Sequence, residues 1–317
     1  MEICYSPDKF NATSFHVMTM TIITLQAFSG MWINAFIVSV LCIAWVKKRT
    51  FNSNEKILLF LGCSRFMHIC ITWLYYFIAI IHPCSMCIHP TAQLFSSFQS
   101  FFNSSNLWVS ACLCLFYCIK IANFRHVFFI YLKVKIDRIM PWLLLSSVLL
   151  SLVFSTLIYD IIDKVQCKNL NSTTAGNILT LRVKMDEHLF PVLFFSGFLF
   201  ATAFMVVIFS ASLLLYSLWT HNRKMQTNSV KDLSTDAHIK AMKSILSFFF
   251  IYTINFVCLV LTLIYSTKKE NPVAFLALVY PYFFSTVHSL ILIFSNPKME
   301  KTLLKTLLCG KYKACMR

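Results

Sequence analysis

Long apolar runs separated by short polar segments dominate this chain. A helix of roughly 20 apolar residues crosses the hydrocarbon core of a bilayer, and seven runs reach that length. They cover residues of about 15–46, 57–81, 94–119, 139–162, 189–218, 239–266 and 272–295. The pattern predicts an all-α integral membrane protein, built as a seven-transmembrane helix bundle that forms a single domain over residues 1–317, with a cytoplasmic amphipathic tail at 296–317.

The third run is polar for a lipid-crossing segment, since it contains the stretch "SSFQSFFNSSN". Polar side chains in a membrane helix usually face the bundle interior or a cavity. Gln99, Asn103 and Asn106 recur at helical spacing and therefore share one face. We expect them to contact a ligand, although polar contacts that hold helices together would explain them as well.

The positions of lysine and arginine predict the orientation. If the N-terminus lies outside, the inner segments hold 20 basic residues and the outer segments hold 7. Cytoplasmic segments carry such an excess in membrane proteins, so we expect the N-terminus outside and the C-terminus in the cytoplasm. The formal net charge of +16 is spread between apolar runs rather than over one domain face, which disfavours a nucleic-acid partner and favours contact with anionic membrane lipid.

The overall composition fits a membrane location. Hydrophobic residues make up 58% of the chain and charged residues only 13%, about half the charged fraction of a soluble domain. The first apolar run is too long for the core of a cleavable signal peptide. We therefore expect it to remain as a membrane helix.

Modification sites follow from the predicted topology. The sequons at Asn11 and Asn171 fall in outer segments and are expected to carry glycan, whereas the sequon at Asn103 lies within the third span. Outer cysteines in an oxidising compartment can form up to two disulfides, and those predicted to lie outside are Cys4, Cys84, Cys87 and Cys167. Disulfide formation disfavours a zinc site in the loop "HPCSMCIHP", so no metal and no cofactor is expected. Cys309 and Cys315 in the tail are palmitoylation candidates.

One formal charge lies deep within a span, at Arg65. Such a residue is costly and is usually paired or functional. Asn34 in the first span and His288 in the seventh are candidate partners at similar depth. Pro281 removes a backbone hydrogen bond and permits a bend. We expect these four residues to form a polar network that holds the inactive packing of the bundle, while direct contact of Arg65 with a ligand remains the alternative.

Several motifs in order along the chain resemble the bitter taste receptors, the type 2 taste receptor family of G-protein-coupled receptors. The sequence contains "LGCSR", "LWVSACLCLFYCIKIANF", "FFIYLKVKI", "SLLLYSLWTHNRKMQ", "DLSTDAHIKAMKSILSF" and "YP…HSLILIFSNPKM". The marks of rhodopsin-type receptors, such as Asp-Arg-Tyr after the third span, are absent from it. The resemblance implies a receptor in the plasma membrane that binds small, mostly apolar bitter compounds in an outward-facing pocket and activates gustducin or a related inhibitory-class G protein.

The resemblance also implies site residues. It matches Asn103 to a pocket asparagine, Tyr76 to an aromatic pocket position, and Asn255 to a position linked to activation. Gln99 stands where several members have tryptophan, and Ala274 stands where certain members have glutamate. The expected contacts with the G protein come from the inner ends of the third, fifth and sixth spans, at Lys120, His221, Lys224, His238 and Lys243.

Three other classes of protein remain as alternatives. An intramembrane protease needs a Ser-His pair or two intramembrane aspartates, and the spans show neither arrangement clearly, so we do not expect an enzyme. A transporter usually has internal repeats and several buried ionisable groups, whereas this sequence has one clear case. A seven-helix receptor for a stimulus other than taste stays open.

Overall fold

The computed structural model describes residues 14–82, 85, 88–122, 126–171, 189–225, 246–258, 260–261 and 271–315. Within these ranges it describes all side chains except those of residues 14–16, 19, 165–171, 189–196, 218, 221–225, 271–278, 280, 281 and 307–315. The ordered elements in this part of the chain are all helices. They are α1 (Ser14–Lys48), α2 (Ser53–Ile81), α3 (Thr91–Ile121), α4 (Val127–Asn171), α5 (Leu189–Met225), α6 (Leu246–Cys258), α7 (Asn271–Ser295) and α8 (Pro297–Cys315).

Five of these helices, α1 to α5, are long enough and apolar enough to cross a membrane. They coincide with the first five predicted spans. Within the predicted sixth and seventh spans, the continuous stretches whose side chains are described are the apolar segments Leu246–Cys258 and Tyr282–Ser295. Seven crossings and the direction of the termini therefore stay predictions.

Local sequence signals explain where several helices begin and end. The backbone N–H of Asn52 donates to Glu55 Oε2 at 3.1 Å, a capping contact that starts α2. Proline precedes α3 at Pro90 and opens α8 at Pro297, where a missing backbone N–H costs nothing. The helix α4 starts twelve residues before the predicted fourth span, because hydropathy detects the segment in lipid and not the helical turns that extend beyond it.

The helix α3 lies at the centre of the bundle. It packs against α2, α4 and α5, while α1 packs against α2 and α7. About 72% of the most apolar stretch of α3 is buried, compared with 22% for α4. A central helix has little contact with lipid, and this explains how α3 tolerates its many polar residues.

Hydroxyl contacts join α3 to α4 along their length. Ser97 Oγ lies 2.7 Å from Ser155 Oγ, and Ser151 Oγ donates to Ser104 Oγ at 3.2 Å. Small polar residues allow close approach of membrane helices and link them by hydrogen bonds. Part of the polar stretch predicted to face the interior thus holds α3 against α4.

Glycine allows α1 to approach its neighbours closely. A methyl group at Gly30 would lie 2.7 Å from Thr286 Oγ1 of α7 and 2.9 Å from Ile69 Cδ1 of α2. These distances are shorter than real contacts permit. The absence of a side chain at Gly30 is therefore what lets α1, α2 and α7 meet at this level.

Candidate functional site

The charged residue within the spans, Arg65, lies buried where α2, α3 and α7 meet. Its side chain is 1% exposed. Nη1 donates to Ser289 Oγ at 2.9 Å, and Nη2 donates to Ser110 Oγ at 3.1 Å. Nη2 also contacts Nδ1 of His288. A single guanidinium therefore links three helices through neutral partners.

The network continues from α7 to α1. Ser289 Oγ donates to Asn34 Oδ1 at 2.8 Å, and Asn34 Nδ2 donates to the Gly30 carbonyl at 2.8 Å. Asn34, Ser289 and His288 are at most 1% exposed. The sequence suggested Asn34 as a direct partner of Arg65, but the structure places Ser289 between them.

His288 connects this network to an aromatic cluster on α6 and α7. Its ring lies edge-on to Phe248, with centroids 4.2 Å apart and planes at 87°. The rings of Tyr252 and Phe284 are each 5.8 Å away. Because Nδ1 of His288 faces the N–H of Arg65, it acts as the acceptor, and the ring proton lies on Nε2. The contacts of His288 thus fix the position of α6 relative to the polar centre.

Arg65 also lines a cavity that it shares with residues of α3, α5, α6 and α7. The residues that line it are Arg65, Asn103, Asn106, Leu107, Phe200, Asn255, Phe284 and Ser285. The volume of this cavity is about 20 Å³, which is room for one or two water molecules. Both polar atoms of the Asn106 amide are buried without a hydrogen-bond partner. The cavity is small, and it combines apolar walls with polar groups that are free to bind.

Comparison with known proteins decides the family. Residues 12–311 match the family model described as "Taste receptor protein (TAS2R)". The chain is 32% identical to "Taste receptor type 2 member 7" of Papio hamadryas over 298 residues, which are 91% of this chain and 92% of the relative. It is 31% identical to "Taste receptor type 2 member 41" of Rattus norvegicus over 301 residues, 93% of this chain and 96% of that one.

The chain belongs to the type 2 taste receptor family. This family consists of bitter taste receptors coupled to G proteins, so the chain is a membrane receptor rather than a member of an enzyme family. The motifs quoted from the sequence carried the same resemblance.

The receptor brings three of the predicted ligand residues together and leaves two apart. Asn103, Asn106 and Asn255 line the cavity, whereas Gln99 and Tyr76 are not in its lining. Gln99 lies one turn before Asn103 on α3, and the ring of Tyr76 contacts that of Tyr75 with centroids 5.4 Å apart. The side chain of Ala274 lies outside the described residues, and so does that of Pro281.

Of the residues predicted to contact the G protein, the structure describes the side chain of Lys120. Its Nζ lies 2.6 Å from Asp137 Oδ2 and 5.8 Å from the centroid of the Phe116 ring. The ion pair joins the end of α3 to the start of α4. The side chains of His221 and Lys224, and all of His238 and Lys243, lie outside the described residues.

The predicted modification sites are mostly outside the described part of the receptor. Asn171 is the last residue of α4, and its side chain is not described. Asn11 and the four outer cysteines lie outside the described side chains as well. Glycosylation and disulfide formation therefore stay predictions.

Sequence reasoning missed several residues that complete the site. Ser110 binds Arg65, and Phe200, Phe284 and Ser285 line the cavity. Ser110 lies four residues after Asn106 and seven after Asn103, on the same helical face. That spacing is the signal in the sequence that would have found it.

Proposed function

We propose that this receptor senses small, mostly apolar bitter compounds in an outward-facing pocket that includes the cavity lined by Arg65. The supporting observation is that Asn103, Asn106 and Asn255, from two helices, line one space whose apolar walls are Leu107, Phe200 and Phe284. Ligand pockets combine apolar walls with a few polar groups in this way. The proposal includes one domain with seven spans, the N-terminus outside and the C-terminus in the cytoplasm of a cell whose plasma membrane holds the receptor.

The cavity must widen to take such a compound. Pockets for small molecules measure about 300–1,000 Å³, far more than the space present here. Agonists are therefore expected to favour a packing in which α3, α5, α6 and α7 move relative to one another. His288 contacts both α6 and Arg65, so this movement changes the network that joins α2, α3 and α7.

The direct test of the function is an agonist screen. Cells that express the receptor with a promiscuous G protein are exposed to a panel of bitter compounds, and intracellular calcium is measured. Several compounds of the panel are expected to give responses that are absent from cells without the receptor. A receptor at the cell surface that answers none of them would contradict the proposal.

Asn103→Ala tests the pocket. In a cavity of low polarity, a polar group of the agonist that loses its hydrogen-bond partner is costly. Removal of the Asn103 amide is therefore expected to raise the agonist concentration for half-maximal response tenfold or more, about 1.4 kcal/mol. The matched control is Gln99→Ala, one helical turn before Asn103 and outside the cavity lining. If both variants had the same effect, the agonist would bind outside the cavity. If neither had an effect, Asn103 would not be part of the ligand pocket.

The proposed partner is gustducin or a related inhibitory-class G protein, bound at the inner ends of the helices. His221 and Lys224 end α5, and cations there can bind the carbonyl groups at the C-terminus of a G-protein helix. Replacing both with alanine is expected to lower maximal signalling and to leave the agonist concentration dependence within about threefold. The control pair is Lys311 and Lys313 in the tail. An equal loss from the tail pair would mean that general positive charge supports coupling.

A further inference from the structure

Among the residues that the structure describes, no carboxylate lies beside the positive charge of Arg65. Its partners in the structure are two serine hydroxyls and a histidine ring. Among the described residues, α1, α3, α5, α6 and α7 contain no aspartate or glutamate. The acid in α2, Glu55, is ten residues from Arg65, or about 15 Å along the helix.

A buried charge with only neutral partners is unstable compared with a paired one. The cost of removing an ion from water is several kcal/mol after relaxation, and an opposite charge offsets it where the geometry is good and further hydrogen bonds satisfy both groups. Hydroxyl groups offset only part of this cost. A negative group placed against Arg65 would therefore gain more free energy here than at the surface.

The cavity gives an anion access to this charge. Arg65 forms part of its lining, and the hydrogen bonds to Ser289, Ser110 and His288 use three of the five guanidinium donors. Asn106 lines the same cavity one turn from Ser110, is 8% exposed, and has an amide Nδ2 without a partner. Arg65 and Asn106 thus border the same space, Arg65 with a cation and Asn106 with an amide whose Nδ2 and Oδ1 both lack a partner.

We propose that this cavity binds one small anionic group, paired with Arg65 and hydrogen-bonded by Asn106 Nδ2. The group is the carboxylate of an acidic agonist or a free halide ion. The space of about 20 Å³ has room for one or two water molecules, so it can take a halide ion, and the two oxygens of a carboxylate would fill it. Binding of a halide ion would not depend on the proposed function, whereas binding of an agonist carboxylate rests on it.

The test measures thermal unfolding of the purified full-length receptor in lipid nanodiscs, at constant ionic strength maintained with sodium isethionate. Acetate is compared with acetamide, which has nearly the same shape and no charge, and chloride is compared with isethionate. A ligand that binds the folded state raises the unfolding temperature. At an anion concentration ten times its dissociation constant, the unfolding temperature is expected to rise by about 3 °C for the anion that binds. The same concentration of acetamide is expected to raise it by less than about 1 °C.

The informative variant is Asn106→Asp, because replacing Arg65 itself would also break the bonds between α2, α3 and α7. The new carboxylate would pair with Arg65 from within the cavity. We expect Asn106→Asp to unfold at no lower temperature than the wild type and to lose at least two thirds of the shift caused by anions. The control is Asn296→Asp, the same change between α7 and α8, which is expected to keep the full shift.

The arms separate the sources of the anion. A shift with acetate alone supports a ligand carboxylate, a shift with chloride alone supports a halide site, and shifts with both support exchange between them. The absence of both shifts, or a full shift in Asn106→Asp, would overturn the anion site. In cells, acids such as benzoate derivatives that activate the receptor are expected to be at least tenfold more potent than their amides.

These outcomes also separate the anion site from the proposed function. A receptor that answers no bitter compound but is stabilised by anions would contradict the proposed function and support the site. A receptor that answers bitter compounds but is not stabilised by anions would support the proposed function and contradict the anion site.

Discussion

Removing the hydroxyl of Ser289 is expected to be among the most damaging single-atom changes in the described bundle. This hydroxyl accepts a hydrogen bond from Arg65 at 2.9 Å and donates one to Asn34 at 2.8 Å. A hydrogen bond to a charged group contributes about 1.5–3 kcal/mol, and a neutral bond about 1 kcal/mol. Ser289→Ala should therefore lower the free energy of unfolding by roughly 3 kcal/mol.

Two other serines provide a graded comparison. Ser110→Ala removes a single bond to Arg65, so it should cost about 2 kcal/mol. The hydroxyl of Ser146 is exposed and donates to the Leu143 carbonyl of its own helix, so Ser146→Ala should stay within about 0.5 kcal/mol of the wild type. The predicted order of stability is Ser146→Ala, then Ser110→Ala, then Ser289→Ala.

The assay is thermal unfolding of each purified receptor under identical detergent and salt conditions. One kcal/mol corresponds to about 2–4 °C for chains of 150–250 residues, which gives a fall of about 6–12 °C for Ser289→Ala. A double variant with Asn34→Ala should cost about 1 kcal/mol less than the sum of the two single changes, because both remove the same bond. If the unfolding temperatures of Ser289→Ala and Ser146→Ala differ by less than about 1 °C, the hydrogen bonds of Ser289 do not hold α1, α2 and α7 together.

Three further changes test other parts of the receptor. Gly30→Ala should reduce the yield of folded receptor because its new methyl group would meet Thr286. As a control, a methyl group at Gly197 meets nothing within 4 Å, so Gly197→Ala should be neutral or stabilising by up to about 1 kcal/mol. Asp137→Asn should change the free energy of unfolding by less than about 1 kcal/mol because the pair with Lys120 is half-exposed; a larger change in melting would show that this pair is structural. Asn171→Gln should remove a glycan and increase mobility on a gel, and unchanged mobility would rule out glycosylation there.

Hydrophobic patterning predicted the helical class and five of the apolar spans because a bilayer demands long apolar helices and accepts few alternatives. The same pattern could not show that α4 continues to Asn171, since that end of the helix is less apolar. It also gave no sign of which polar residues in α3 face the cavity and which face α4. Ser104 and Asn106 are two residues apart, yet the first contacts Ser151 and the second lines the cavity.

The partners of Arg65 show another limit of the sequence. The depth of His288 and Asn34 in their spans, similar to that of Arg65, pointed to them as partners. Ser110 gave no comparable signal because serine is common in membrane helices, where it can satisfy its hydroxyl on its own backbone. The intermediate position of Ser289 depends on how closely α1 and α7 approach each other, and the close contact at Gly30 is a part of that packing which the sequence alone does not reveal.

The position of Arg65 connects stability with ligand response. The same guanidinium lines the cavity and holds α2 to α3 and α7. A ligand group that draws Arg65 toward the cavity weakens its bonds to Ser110 and Ser289, and His288 passes that change to α6 through its ring contact with Phe248. A ligand shifts an equilibrium only by its difference in affinity between two states. If the cavity is the ligand pocket, the difference can arise from a single residue, because contacts of Arg65 with a ligand would compete with those that hold the helices in this packing.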